Sequence, residues 1–143
     1  METTENKQGA EGESKNLEGK KIMVIEDDRF LHRLLADKLT QWKASVASSF
    51  DGIDAVKKVE AEKPDLILLD IILPGADGFD ILGQLKSNET LKSIPVIILS
   101  NLGQEEDIER GTKLGAVDFL IKANFTLDEI AAKASKVLGV KGA

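Results

Sequence analysis

Two runs in this chain, Leu66-Ile-Leu-Leu69 and Val96-Ile-Ile-Leu99, are apolar at every position. A strand with one wet face alternates apolar and polar residues, whereas a strand buried on both faces has no polar beat. Burial on both sides is what a parallel strand meets when helices cover the sheet above and below. The rest of the pattern agrees. Strands are expected at residues 21–26, 44–47, 65–70, 96–99 and 117–121, and each is followed by apolar residues at helical spacing. The first helix, residues 29–42, carries Leu31, Leu34, Leu35, Leu39 and Trp42 on one side. The second, residues 51–62, would turn Ile53, Val56 and Val59 inward. Helices at 78–86, 105–114 and 127–138 complete the set, the last opened by the capping-box spacing of Thr126 and Glu129. Pro64 and Pro95 precede strands and Pro74 lies in a loop, so all three prolines punctuate the scheme rather than break it. Five strand–helix repeats joined by right-handed crossovers give an α/β, doubly wound, five-stranded parallel sheet.

A chain of 143 residues fits one such domain. Residues 1–19 offer only Ala10 and Leu17 as apolar side chains after Met1, too few to offset ordering entropy, and are expected to form a disordered tail. Residues 20–138 form the folded unit, and residues 139–143 are expected to fray. There is no cysteine, which removes disulfide frameworks and thiolate metal sites from consideration. The net charge of −6 speaks against sequence-independent nucleic-acid or anionic-lipid binding, and no apolar run is long enough for a membrane span. A cytoplasmic protein is the expectation.

In open α/β sheets, ligands bind beyond the carboxyl ends of the strands. The first strand runs into Glu26, Asp27 and Asp28, the third ends in Asp70, the fourth in Ser100 and the fifth in Lys122; the second ends in the uncharged Ser48 and Ser49. Carboxylates gathered at short range repel one another and call for a cation. A hard divalent ion such as Mg²⁺, with Mn²⁺ as an alternative, suits an all-oxygen site. A carboxylate can also attack phosphorus to give an acyl phosphate. An ammonium and a hydroxyl nearby would then stabilise the phosphoryl oxygens, which is most of what phosphoryl transfer needs.

Glu26-Asp27, the segment Asp70-Ile-Ile-Leu-Pro74-Gly-Ala-Asp77-Gly78, Ser100 and Lys122 together resemble the receiver domains of two-component response regulators. The resemblance covers residues 20–138 and implies a flavodoxin-like sheet of order 2-1-3-4-5 with five helices. It implies that Asp70 is the phosphoacceptor. It also implies that Asp27, Asp70 and the backbone carbonyl of Ile72 hold Mg²⁺, with Glu26 acting through water. Ser100 would be the switch hydroxyl, Lys122 the phosphoryl partner and Phe119 the rotating aromatic. The implied donor is a phosphohistidine on a sensor histidine kinase or a histidine phosphotransfer protein. The implied output face is the fourth helix, fifth strand and fifth helix. About five residues follow the last helix, so output is expected through contact with a downstream protein whose identity the sequence does not give. The domain would catalyse its own phosphorylation without turning over a small molecule. Three positions depart from the family pattern. Ala123 stands where a proline usually follows the lysine, and a cis bond is not expected before it. Asn101 stands where a small residue is usual and would narrow access. Phe119 has no hydroxyl. Ile72 and Leu102 border the site, and neither can hold an attacking water, so slow loss of the phosphoryl group is expected.

Plainer roles compete at several positions. Asp28 fits a helix N-cap better than a metal site, and Asp77-Gly78 fits a turn and cap for the third helix. Ser100 alone could cap a helix, Lys122 alone could be a surface lysine, and Phe119 could be plain core. His32 is expected on the surface with no role. Residues 104–110 (QEEDIER) read as a solvated face on a weakly anchored, movable helix. Two other chemistries compete with the receiver reading. A haloacid-dehalogenase-like phosphatase needs a second aspartate two residues after the nucleophile, where this chain has Ile72. A flavodoxin-like flavin binder needs a phosphate loop where Glu26-Asp27-Asp28 would repel the phosphate. A receiver that binds partners without phosphorylation remains the third alternative.

Overall fold

The structure, a computed structural model, describes residues 16–140. Strands β1 (Lys21–Ile25), β2 (Ser45–Ser49), β3 (Leu66–Leu69), β4 (Val96–Ser100) and β5 (Asp118–Ile121) alternate with helices α1 (Arg29–Gln41), α2 (Ala55–Glu62), α3 (Gly78–Ser87), α4 (Glu105–Leu114) and α5 (Leu127–Val137). The five strands form one parallel sheet in the order β2-β1-β3-β4-β5. The expected fold and strand order are those observed.

Alternate residues of each central strand feed two different cores. Met23, Ile25, Ile67, Leu69, Val96 and Ile98 face the side covered by α2, α3 and α4. Ile22, Val24, Leu66, Leu68, Ile97 and Leu99 face the side covered by α1 and α5. This is why LILL and VIIL carry no polar residue. Each fully buried Leu or Ile removes enough surface from water to stabilise the fold by about 1.5–3 kcal/mol before entropy is counted.

Several boundaries differ from the sequence reading. The second strand is Ser45–Ser49, because its ladder follows β1 from Lys21↔Ser45 to Ile25↔Ser49. As the sheet's edge it tolerates polar residues on its outer side. The second helix begins at Ala55, not at residue 51. The Asp51 carboxylate accepts the Ile53 N–H at 3.0 Å and holds a turn there. Ile53 is consequently 70% exposed rather than inward-facing. The tail also reaches further into the fold than expected. Leu17 is fully buried against the α1/α5 core, and its N–H donates to the Trp42 carbonyl. Residues 1–15 and 141–143, the remainder of the expected tail and frayed end, lie outside the described residues. The largest correction is His32. It lies on the same helical stripe as Leu35, Leu39 and Trp42 and is 2% exposed.

Helix ends match their signals. Asp28 caps α1 by accepting from Phe30 N and Leu31 N, and Asp77 caps α3 by accepting from Phe79 N. Thr126 and Glu129 form a complete capping box on α5. Trp42 caps the end of α1, and its indole N–H donates to Asp128 Oδ1 at 3.2 Å, tying α1 to α5. By contrast α4 buries only Gly111. There a Cβ would come within 2.7 Å of Ile98 and 3.2 Å of the Phe119 ring.

Candidate functional site

The parallel sheet brings the ends of β1, β3 and β5 together at one edge. β1 delivers Glu26 and Asp27. The Glu26 N–H still pairs with the Ser49 carbonyl at 3.0 Å, so the turn leaves the sheet from a fixed point. Glu26 is buried, and its Oε2 accepts the Asp28 N–H at 2.9 Å. Asp27 reaches solvent. β3 delivers Asp70, itself anchored by its N–H to the Ile25 carbonyl at 3.0 Å. Carboxylate oxygens of Glu26, Asp27 and Asp70 lie within 4.8 Å of one another.

Asp70 is 6% exposed. Its Oδ1 accepts the N–H groups of Ile71 at 2.7 Å and Ile72 at 3.3 Å, and its Oδ2 accepts from Lys122 Nζ at 3.0 Å. Lys122 opens a short 3-10 turn, Lys122–Asn124, after β5. Its ammonium lies 2.7 Å from Glu26 Oε1 as well, an ion-pair contact rather than an aligned hydrogen bond. The two carboxylates and the ammonium thus form one buried triad, with Asp27 beside it. Burial pushes the Glu26 carboxyl above its usual range, a push that Lys122 opposes. Burial would lower the Lys122 ammonium, but the Glu26 and Asp70 carboxylates outweigh it and hold the amine above its ordinary value.

After Asp70 the chain forms a two-residue hairpin, Ile72–Leu73 against Ala76–Asp77, where the sequence pattern suggests only a loop. Gly78 then starts α3 directly against it. A Cβ on Gly78 would lie 2.4 Å from Ile71 Cα and 2.5 Å from the Asp70 carbonyl oxygen. Its N–H donates to the Ile71 carbonyl at 2.7 Å. The glycine read as a turn residue is therefore also a spacer that lets α3 approach the backbone of Asp70. The signal lay in its place at the end of the D-x₃-P-G-x-D-G segment, but spacing alone does not show a close approach.

The other expected site residues fall around this centre. Ser100 is fully buried at the end of β4, opposite Ile121, and its Oγ accepts the Leu102 N–H at 3.3 Å. Asn101 and Ala123 are exposed. Ile72 is 62% exposed and, with the half-buried Leu102, lines an open cleft of about 470 Å³ that continues to Phe79 and Arg110. Phe119 is half-buried and packs in the helix α2–α4 core near Gly111. Among the described residues there is no cis peptide bond, so the Lys122–Ala123 bond is trans.

The family model for the response regulator receiver domain matches residues 22–135. The chain belongs to that family. It is 36% identical over 119 residues to the alkaline phosphatase synthesis transcriptional regulatory protein PhoP of Bacillus subtilis, covering 83% of this chain and 48% of that protein. The chain spans about half the length of that curated relative. Among solved structures it superimposes on the phosphorylated cyanobacterial phytochrome response regulator RcpA. There the TM-score is 0.74 and the identity 32%, covering 83% of this chain and 93% of that one. It also superimposes on the Mn²⁺-bound form of the response regulator Rcp1, with a TM-score of 0.72 and 29% identity, covering 82% and 92% of the two chains. A phosphorylation-activated switch is the general function of this receiver family. Among the described residues, no helix is long and apolar enough to cross a membrane.

Proposed function

We propose that this receiver domain accepts a phosphoryl group on Asp70 from the phosphohistidine of a sensor histidine kinase or histidine phosphotransfer protein. The observation that carries the reading is the triad of Asp70, Glu26 and Lys122, in which one ammonium touches two buried carboxylates beside Asp27. A metal-binding role fits the donor set, because three carboxylates that converge within 4.8 Å present only hard oxygen ligands. Glu26, Asp27, Asp70 and the backbone carbonyl of Ile72 are the groups that would hold Mg²⁺, or Mn²⁺ in its place. The ion would supply positive charge for the transferring phosphoryl oxygens.

The protein's own groups do the rest. An Asp70 carboxylate oxygen forms the new bond to phosphorus as the phosphorus–nitrogen bond to the donor imidazole breaks. The electron pair of that bond leaves with the imidazole. Lys122 shifts from balancing a carboxylate to balancing the acyl phosphate, and the Ser100 hydroxyl donates to a phosphoryl oxygen. Phe119 repacks against α4, and the α4–β5–α5 face carries the signal to a downstream protein. Asn101 and Ala123 border the entrance, and the apolar side chains of Ile72 and Leu102 offer no group of their own to orient an attacking water. The domain promotes its own phosphorylation and hydrolysis but turns over no small molecule, and such donors place it in the cytoplasm. Intact-mass measurement after acetyl phosphate and Mg²⁺ tests the reading. One added phosphate on the wild type and none on Asp70→Asn is expected; no added phosphate on the wild type refutes it.

A further inference from the structure

His32 is a buried titratable residue that the phosphoryl chemistry above does not use. It is 2% exposed, and its Nε2 has no hydrogen-bond partner. An unbonded buried polar atom asks for an explanation. Its ring stacks on Phe50 with centroids 4.3 Å apart and planes tilted by 35°. The Arg29 guanidinium lies 3.9 Å from the centre of the same Phe50 ring. Phe50 directly follows β2, whose last residue, Ser49, accepts the Glu26 N–H. On its other side, the His32 N–H donates to the Asp28 carbonyl at 2.8 Å, and the Asp28 N–H donates to the Glu26 carboxylate. These contacts close a ring: β2 end, carboxylate turn, first turn of α1, His32, Phe50, and back to β2. The Glu26-Asp27-Asp28 turn is held inside it.

We propose that His32 is a positioning residue for the carboxylate turn, holding Glu26 and Asp27 in place only while its imidazole is neutral. This rests on the reading of that turn as the metal and phosphoryl site. In the neutral ring one nitrogen bears no hydrogen, so Nε2 can remain buried and unbonded. In the imidazolium both nitrogens are donors, and protonation would put a positive charge on a buried ring whose Nε2 makes no hydrogen bond in this geometry. Protonation would also set a second cation against the Phe50 ring already met by Arg29. Among the described residues, the charged side chain that acts on the ring is Arg29, and no carboxylate offsets it. The Asp28 carboxylate is engaged with Phe30 N–H and Leu31 N–H, and that of Asp51 with Ile53 N–H. From β1 the ring meets the Val24 backbone, and from the end of β2 the Phe50 ring. Burial lowers the tendency of His32 to protonate below the ordinary histidine value of 6.5; hydrogen bonding to the Val24 and His32 backbones opposes this without cancelling it, and Arg29 adds a smaller push in the same direction as burial. The neutral form therefore prevails near neutrality, and acidification opens the clasp.

The test is Mn²⁺ binding to the full chain, read as loss of the free-ion EPR signal from about pH 8 down to about pH 5.5. Wild type, His32→Phe and His32→Ala are compared, with phosphate uptake from acetyl phosphate followed by mass in parallel. His32→Phe keeps a ring on Phe50 and should match wild-type affinity at the alkaline end. On acidification the wild type should lose affinity several-fold more than His32→Phe. Carboxylate titration is common to both proteins and cancels in the comparison. His32→Ala should bind several-fold more weakly throughout; if it fails to fold, the comparison of wild type with His32→Phe decides. Superimposable pH profiles for those two proteins overturn the proposal, as does a wild type that binds no Mn²⁺ at any pH. A wild type that binds Mn²⁺ with the expected profile but gains no phosphate refutes the phosphoacceptor reading and supports the clasp.

Discussion

Replacing Lys122 with Gln removes the only ammonium in contact with Glu26 and Asp70 among the described residues. Its ion pairs with them are 2.7 Å and 3.0 Å long, and the side chains are 16%, 3% and 7% exposed for Lys122, Glu26 and Asp70. Water therefore screens the change poorly. Removing one partner of a buried pair leaves the other charge uncompensated and costs about 3–5 kcal/mol. The lower end, about 3 kcal/mol, is expected here because Asp27 keeps the mouth of the site open to water. For a domain of this size that is a fall in Tm of about 10–15 °C. The sign with pH follows from the triad. The raised Lys122 contributes stability that is complete below its unfolded value of 10.5 and is lost only as pH rises through its higher folded value, so the full penalty appears at neutral pH. Glu26 is already raised and loses the group that restrained it. A carboxyl with a raised folded value favours folding below its unfolded value of 4.5 and loses that contribution as pH rises, so the penalty of the variant should shrink on acidification. Thermal denaturation followed by circular dichroism, with and without Mg²⁺, is the assay. Mg²⁺ should raise the Tm of Lys122→Gln more than that of the wild type, because the ion takes over the neutralising role. Adding Asp70→Asn should recover part of the loss, since one of the two stranded charges is gone. A Tm for Lys122→Gln within about 2 °C of the wild type would refute the argument that this ammonium holds the carboxylates together.

Three further outcomes are expected. Ile72→Asn places an amide able to orient water at the edge of the Asp70 site and should shorten the phosphoryl lifetime several-fold in a radiolabel-loss assay, against a slow wild type. Gly78→Ala drives a methyl to within 2.5 Å of the Asp70 carbonyl oxygen, so urea unfolding should show a loss of about 2–3 kcal/mol, with slower phosphate uptake in the folded fraction. Trp42→Phe removes the indole bond to Asp128 while keeping a ring in the core, and should cost about 1 kcal/mol by the same measurement.

The sheet was legible because its central strands must satisfy two cores at once. A strand covered on both faces accounts for LILL and VIIL, the helical spacing between the runs makes the sheet parallel, and the strand ends then carry Glu26, Asp27, Asp70 and Lys122 to one edge. Local signals with a single physical cause were also readable, such as the caps at Asp28, Asp77 and Thr126. What failed depended on contacts that no short window contains. The second strand is extended to Ser49 by its ladder with β1, and the turn at residues 51–54 is held by the Asp51 carboxylate, although apolar spacing favours a helix there. Leu17 is held by Trp42, a residue twenty-five positions later.

His32 is the instructive case, because its signal was present and was outweighed by residue type. Positions 32, 35, 39 and 42 fall on one helical stripe, and three of the four are large and apolar. Periodicity alone places His32 inside; the expectation that a lone histidine is solvated places it outside. Burying an imidazole is inexpensive while it is neutral and becomes expensive when it is charged. A fold indifferent to this position could use leucine and avoid that dependence. Here the histidine joins α1 to the end of β2, across the turn that carries Glu26 and Asp27. The departure from an all-apolar stripe thus falls where a change in one proton would be felt by the carboxylates that surround Asp70.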